Sequence, residues 1–166
     1  FQEIDEKEPN NLPHESQVLT ENSVTINGVL RENGDVDGFM VKLERVQTLV
    51  ATVDANTRRG SPMDAIMQEQ SADGFVLAEN HDEVGLDPRL TFTAPRSTPY
   101  IVRLFAFPST PNSSIVFQGK PSYIYRLTLT TGPFITHSLP LSVSQSEPGE
   151  VEVLGWNIPP NTKIPV

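Results

Sequence analysis

From Ser23 onward the apolar residues recur at every second position, and that rhythm restricts the chain to sheet. Phe39, Val41 and Leu43 fall on one side of their run, with Lys42 and Glu44 on the other. Leu49, Ala51 and Val53 repeat the pattern, as do Leu90, Phe92 and Ala94. Tyr100, Val102 and Leu104 share a face, and so do Tyr123, Tyr125, Leu127 and Leu129. Between the runs stand Glu32-Asn33-Gly34-Asp35, Ser71-Ala72-Asp73-Gly74 and Ala94-Pro95-Arg96-Ser97, which supply the residue types that tight turns demand. Turn signals every ~8–12 residues are the spacing of an antiparallel sandwich or barrel. Pro62 to Gln70 has some helical potential, but its alternating Met63, Ala65 and Met67 favour a strand.

The rhythm is interrupted in three places. Phe1 to Ser16 is polar and acidic and reads as a linker leading into the fold rather than a packed element. Pro108 to Pro121 is a long loop rich in Ser, Pro and Asn, broken by Ile115, Val116 and Phe117; such loops are functional or mobile. After Thr131 the texture changes. Gly132-Pro133 ends the last strong strand, Ser142 to Pro148 is a polar connection, and Val151, Val153 and Gly155-Trp156-Asn157 start a new β run. The expected organisation is a linker over 1–16, a β-sandwich over 17–131, and over 132–166 a further linker and the start of a second, truncated β module. The strand at Val151–Leu154 is expected to pair with an edge of the first domain or with a neighbouring chain. The abrupt start at Phe1 and end at Val166 suggest a piece of a longer protein.

Composition removes several classes of function. With 37% hydrophobic residues there is material for one core. The balance of 21 Asp and Glu against 12 Lys and Arg, a net charge of -9, argues against nucleic acid, whose phosphates need a basic face. No apolar run approaches the ~20 residues of a membrane helix, and Phe1 does not open a signal peptide. The absence of cysteine excludes disulfides, a thiol nucleophile and a thiolate metal site. His14, His81 and His137 lie in polar stretches, and there is no nucleophile elbow, zinc helix, phosphate loop or dinucleotide fingerprint. The chain is expected not to be an enzyme.

Hard-cation ligands are better represented. Glu6, Glu8, Asn10 and Asn11 crowd the leader, and in an extended segment Glu6, Glu8 and Asn10 point the same way. Asp35 and Asp37 share a side of their own short run, with Glu32 close by. Were the leader to pack beside that turn, both sets would converge on one ion such as calcium, which takes about 6–8 oxygens. Spacing alone favours a solvated acidic linker followed by an Asp-rich hairpin. Glu79-Asn80-His81-Asp82-Glu83 with Asp87 is a second oxygen-rich patch, of a composition ordinary for surface loops. Phe105 and Phe107 lie opposite the Tyr100, Val102 and Leu104 face, either as an exposed apolar patch or packed under the long loop. Exposed, they would suit a carbohydrate-binding module. Arg103 and Arg126 are expected on the outer sheet surface.

Several segments in order resemble the bacterial pre-peptidase C-terminal domain. They are Glu6-Lys7-Glu8-Pro9-Asn10-Asn11, Asn27-Gly28-Val29-Leu30, Gly34-Asp35-Val36-Asp37-Gly38-Phe39, Gly60-Ser61-Pro62-Met63-Asp64, Ala72-Asp73-Gly74 and Gly85-Leu86-Asp87-Pro88-Arg89-Leu90. Pro99-Tyr100-Ile101-Val102-Arg103 and Tyr123-Ile124-Tyr125-Arg126-Leu127 are similar to its closing strands, so the resemblance spans about Asp5 to Thr131. It implies an all-β, jelly-roll-like antiparallel β-sandwich. It also implies a non-catalytic accessory domain of a secreted, cell-surface or periplasmic bacterial protein, a protease or another exported multidomain protein. The partners implied are neighbouring domains and an extracellular protein or polysaccharide, with no nucleic acid and no membrane insertion. Relatives include the collagen-binding domains of clostridial collagenases. Carried over residue by residue, the resemblance implies calcium at Glu6, Glu8, Asn10, Asn11, Asp35 and Asp37. Gly38 stands where the family usually has Tyr, and the 108–121 loop is longer than in the collagen binders. The segment from Leu139 through Trp156-Asn157 resembles the opening of an Ig-like module, giving the sandwich a short C-terminal β extension.

Overall fold

The alternating runs become strands, numbered here in chain order, and these stack into two five-stranded sheets. The computed structural model describes residues 1–21, 23–110, 116–144 and 149–166. The first sheet holds β1 (Gln2–Asp5), β3 (Ser23–Val29), β10 (Ile124–Thr130), β5 (Thr48–Asp54) and β8 (Arg89–Thr93), in that spatial order. The second holds β2 (Gln17–Val18), β4 (Asp37–Leu43), β9 (Thr98–Pro108), β6 (Met63–Ser71) and β7 (Val76–Asn80). Each sheet presents one face of its period-2 pattern inward, and a single cluster joins them. Ile26, Leu49, Val53, Leu127 and Leu129 from the first sheet meet Phe39, Val41, Leu43, Met67 and Leu104 from the second. The fold is the expected jelly-roll-like β-sandwich.

Pro62 to Gln70 resolves as strand. Met63–Ser71 pairs with β9 along its whole length, so Met63, Ala65 and Met67 enter the core. The short helix α1 (Asn56–Arg59) follows β5, and Asp87 caps its start by accepting from the backbone N–H groups of Asn56 (2.7 Å) and Thr57 (2.9 Å). Asp87 is therefore a structural acceptor, consistent with the ordinary reading of its loop.

The leader differs from expectation. Gln2–Asp5, read as part of an unpacked linker, forms β1 and pairs parallel with β3; Gln17–Val18 likewise pairs parallel with β4. These edge pairs depart from a wholly antiparallel sandwich. Short polar segments such as Gln2–Asp5 carry little periodicity, and their pairing rests on backbone groups rather than on a buried face. Gln17 ties the two edges together, accepting from Lys7 N (2.8 Å) and donating to Asp5 O (3.3 Å). Arg126 of β10 reaches across β3 to pair with Glu3 of β1, so it clamps the leader rather than merely decorating the sheet.

The C-terminal segment forms its own three-stranded antiparallel sheet, β11 (Phe134–Leu139), β12 (Glu150–Trp156) and β13 (Lys163–Pro165). Val151–Leu154 thus pairs inside this sheet, not with an edge of the sandwich, because β11 and β13 supply partners on both sides. Of the long loop and of the Ser142–Pro148 connection, 111–115 (with Ile115) and 145–148 lie outside the described residues. The remainder of the loop is docked. Phe117 O accepts from Gly34 N (3.0 Å), and Gly119 N donates to Asn33 Oδ1 (3.2 Å), so the loop buttresses the Asp-rich turn.

Candidate metal centre

Two segments far apart in sequence build the site. The turn after β3 delivers Asp35 and, at the start of β4, Asp37. The leader crosses them between β1 and β2. Gly38 N donates to Asn10 O (3.1 Å), and Val36 N donates to Asn11 Oδ1 (3.1 Å), stitching leader to turn through backbone and side chain. Gly38 is required there: a Cβ would lie 2.6 Å from Ser16 Oγ and 2.9 Å from Asn10 O. That close approach of the leader backbone accounts for a residue without a side chain at this position.

The result is a cluster of oxygens. Glu8, Asp35 and Asp37 each bring a carboxylate oxygen within 4.8 Å of the others. Asn10 is fully buried beside them; its amide nitrogen, turned toward them, donates to Glu8 Oε2 (3.1 Å) and Asp37 Oδ1 (3.2 Å). Glu6 stands one step further in. Its Oε2 accepts from Val29 N and from the Tyr125 hydroxyl, both at 3.0 Å, and the same hydroxyl donates to Asp37. Of the six ligands carried over from the resemblance, Glu8, Asn10, Asp35 and Asp37 face one point. Glu6 joins them through Tyr125, and Asn11 already spends its oxygen on Val36 N.

Electrostatics leaves this cluster short of positive charge. Among the described residues the cation paired with it is Arg31, 3.5 Å from Glu6 Oε1, and its side chain is 63% exposed while that of Glu6 is 3% exposed. Burial, reinforced by the charge of Glu6, raises the Asp37 carboxyl from 3.8 to about 9. Burial, then Asp35 and Glu6, raises Glu8 as well. The Tyr125 hydroxyl is pushed well above its usual value by burial and by its two carboxylate neighbours, so it remains a donor. Like charges crowded in a desolvated site are relieved by a proton or by a cation. The donor set, carboxylates and an amide with no sulfur or imidazole, suits a hard cation such as calcium. Nothing in the sequence pattern marks Tyr125 or Arg31 as a site residue. A buried tyrosine needs a partner for its hydroxyl, which was the available signal.

The aromatic pair behaves differently. Phe105 is buried, its ring centroid 4.3 Å from that of Phe117, and Phe107 packs on Phe117 at 5.8 Å. Arg103 lays its guanidinium over Phe105 (5.2 Å) and Phe117 (5.8 Å). The loop covers this face, so Phe105 and Phe107 do not form an open platform.

Against known proteins, the fold has a clear counterpart. The pre-peptidase C-terminal domain of a collagenase from Bacillus anthracis superposes with a TM-score of 0.51 at 12% identity, over 75% of this chain and 100% of that one. The chain thus has the fold of a pre-peptidase C-terminal domain. Two further structures superpose more loosely. PliG, a periplasmic inhibitor of g-type lysozyme from Aeromonas hydrophila, gives 0.46 at 13% identity, over 69% of this chain and 94% of its own. The surface-associated copper-binding protein CorA of Methylomicrobium album BG8 gives 0.48 at 9% identity, over 69% of this chain and 96% of its own. No protein-family model and no curated protein matches the sequence. Among the described residues, no helix is long and apolar enough to cross a membrane.

Proposed function

We propose that the chain is a non-catalytic accessory domain of a secreted bacterial multidomain protein, a protease or another exported protein, in which a calcium ion fastens the leader to the sandwich. The carrying observation is the meeting of Glu8 and Asn10 from the leader with Asp35 and Asp37 from the turn around one point. Glu8, Asp35 and Asp37 would hold the ion, with the Asn10 amide turned to present its oxygen. The cation would supply the positive charge that Arg31 does not. Fixing the leader fixes the direction in which a preceding domain departs, and residues 132–166 do the same for a following module. Neighbouring domains of the same polypeptide are thus the primary partners, with an extracellular polymer as the further one.

Calcium at a hundredfold excess over Kd should stabilise the folded chain by about 2.7 kcal/mol. For a chain of this size that is a rise in Tm of about 5–10 °C over the chelated protein. Asp37→Ala should abolish the rise. Scanning calorimetry of both proteins with calcium and with EDTA decides the matter; a wild-type Tm indifferent to calcium would sink the reading.

Affinity should also depend on pH. Because the metal-free site holds a proton on Asp37 up to about pH 9, binding must expel it. Calcium should therefore bind more tightly as pH rises from about 6 toward 9, releasing protons, as titration calorimetry in buffers of different ionisation enthalpy would register. Affinity flat across that range would remove Asp37 from the ligand set.

A further inference from the structure

At the opposite edge of the sandwich from the leader, β7 and β8 border a cavity of about 240 Å³ that the C-terminal sheet helps to enclose; Glu79, Asn80, Glu83, Arg89, Thr91 and Trp156 contribute to its lining. Trp156 is the only tryptophan in the chain and is 44% exposed, although it stands in a paired strand opposite Phe134. Its indole therefore brings a large, partly solvated aromatic surface to a cleft with a polar lining.

The segment that carries it is held firmly. Asn157, in the left-handed conformation (φ 56°), donates from Nδ2 to Thr48 O (3.0 Å) and to Gly132 O (3.2 Å), fastening the end of β12 to the sandwich. Phe134 lies 5.3 Å beneath the Arg89 guanidinium. Arg89 is thus positioned by stacking, yet its side chain meets no acceptor among the described residues, and its Nε is buried without one. Asn80 uses its Oδ1 to accept from Arg89 N (3.1 Å), which leaves its Nδ2 for another partner. Glu79 accepts from Gln68 (2.6 Å), and the exposed Glu83 contributes further acceptors. Several donors and acceptors without a partner among the described residues thus line the cleft beside the indole, in a space suited to a single sugar ring.

We propose that this junction cleft binds a neutral pyranose residue of a glycan, its apolar face stacked on Trp156 and its hydroxyls paired with Arg89, Asn80, Glu79 and Glu83. An anionic sugar would face two carboxylates on a chain of net charge -9. A proline ring could stack on the same indole but would leave the polar lining unpaired, which costs binding free energy. The site needs both the sandwich and the C-terminal sheet and is independent of the calcium reading.

The test uses the full chain in EDTA, so that the outcome does not depend on calcium. Cellotriose, chitotriose and a polyproline peptide are each titrated by calorimetry, with Trp156 emission followed in parallel. One or both trisaccharides should bind saturably with a Kd of about 0.1–1 mM and shift the emission to the blue. Trp156→Ala should weaken binding by about tenfold or more with Tm and circular dichroism retained, and Trp156→Phe should restore part of it. Arg89→Met should weaken binding while leaving the emission of the free protein unchanged. No saturable response to either sugar at millimolar concentration, a response to the polyproline peptide alone, or a Trp156→Ala protein that binds like wild type would each overturn the proposal.

Discussion

Glu69→Gln should flatten the pH dependence of stability, and the variant should surpass wild type at pH 8 while differing little from it near pH 4. Met63, Ala65 and Met67 send the inward face of β6 into the core, and Glu69 continues that face between Val102 of β9 and Ala78 of β7. Neither carboxylate oxygen finds a partner among the described residues. Burial alone raises the group from 4.5 to about 8. Below pH 4.5 it is protonated in folded and unfolded chains alike. Above that the unfolded chain ionises while the folded one keeps its proton, so stability falls as pH rises, until the folded group ionises too near pH 8. The loss attributable to Glu69 is about 5 kcal/mol at most, with water penetration reducing it. Asp37 has a slope of the same sign in the metal-free protein, so the difference between wild type and variant isolates Glu69. Chemical denaturation at pH 4.5, 6.5 and 8.5 measures it. Parallel profiles for the two proteins would show that the buried carboxyl is hydrated or paired after all.

Gly28→Ala should be among the most damaging single-methyl changes in the chain, costing about 3 kcal/mol and blunting the calcium response as well. Gly28 in β3 sits directly opposite Tyr125 in β10. An added Cβ would lie 2.1 Å from Tyr125 Cζ, 2.2 Å from its hydroxyl oxygen and 2.5 Å from Glu6 Oε2. The ring cannot withdraw cheaply, because its hydroxyl joins Glu6 to Asp37 and is buried with them. Calorimetry of the variant with calcium and with EDTA reads both effects. A variant as stable and as calcium-responsive as wild type would mean that Tyr125 does not brace the site.

The candidate site is partly legible in the sequence. Glu8, Asn10, Asp35 and Asp37 stand out as oxygen ligands by type and alternation, and the resemblance to a calcium-binding leader joined the two groups. Spacing could not do so, since Glu8 and Asp37 are remote in sequence and local patterning carries no information about which loop meets which strand. The same limit hid Tyr125, whose alternation marks it correctly as core but is silent about its hydroxyl. Phe105 and Phe107 show the reverse case. Their face was identified, and only the docking of Phe117 decided between an open patch and a packed one.

Period-2 alternation determined by itself that this chain builds sheets, and which side of the strongly patterned strands faces the core, because a one-residue error would turn every apolar group outward. Strand pairing at the edges, the three-stranded C-terminal sheet and the meeting of leader and turn were decided only by the tertiary structure. Those contacts depend on backbone hydrogen bonds and on charges brought together in space, neither of which leaves a periodic trace in the order of the residues.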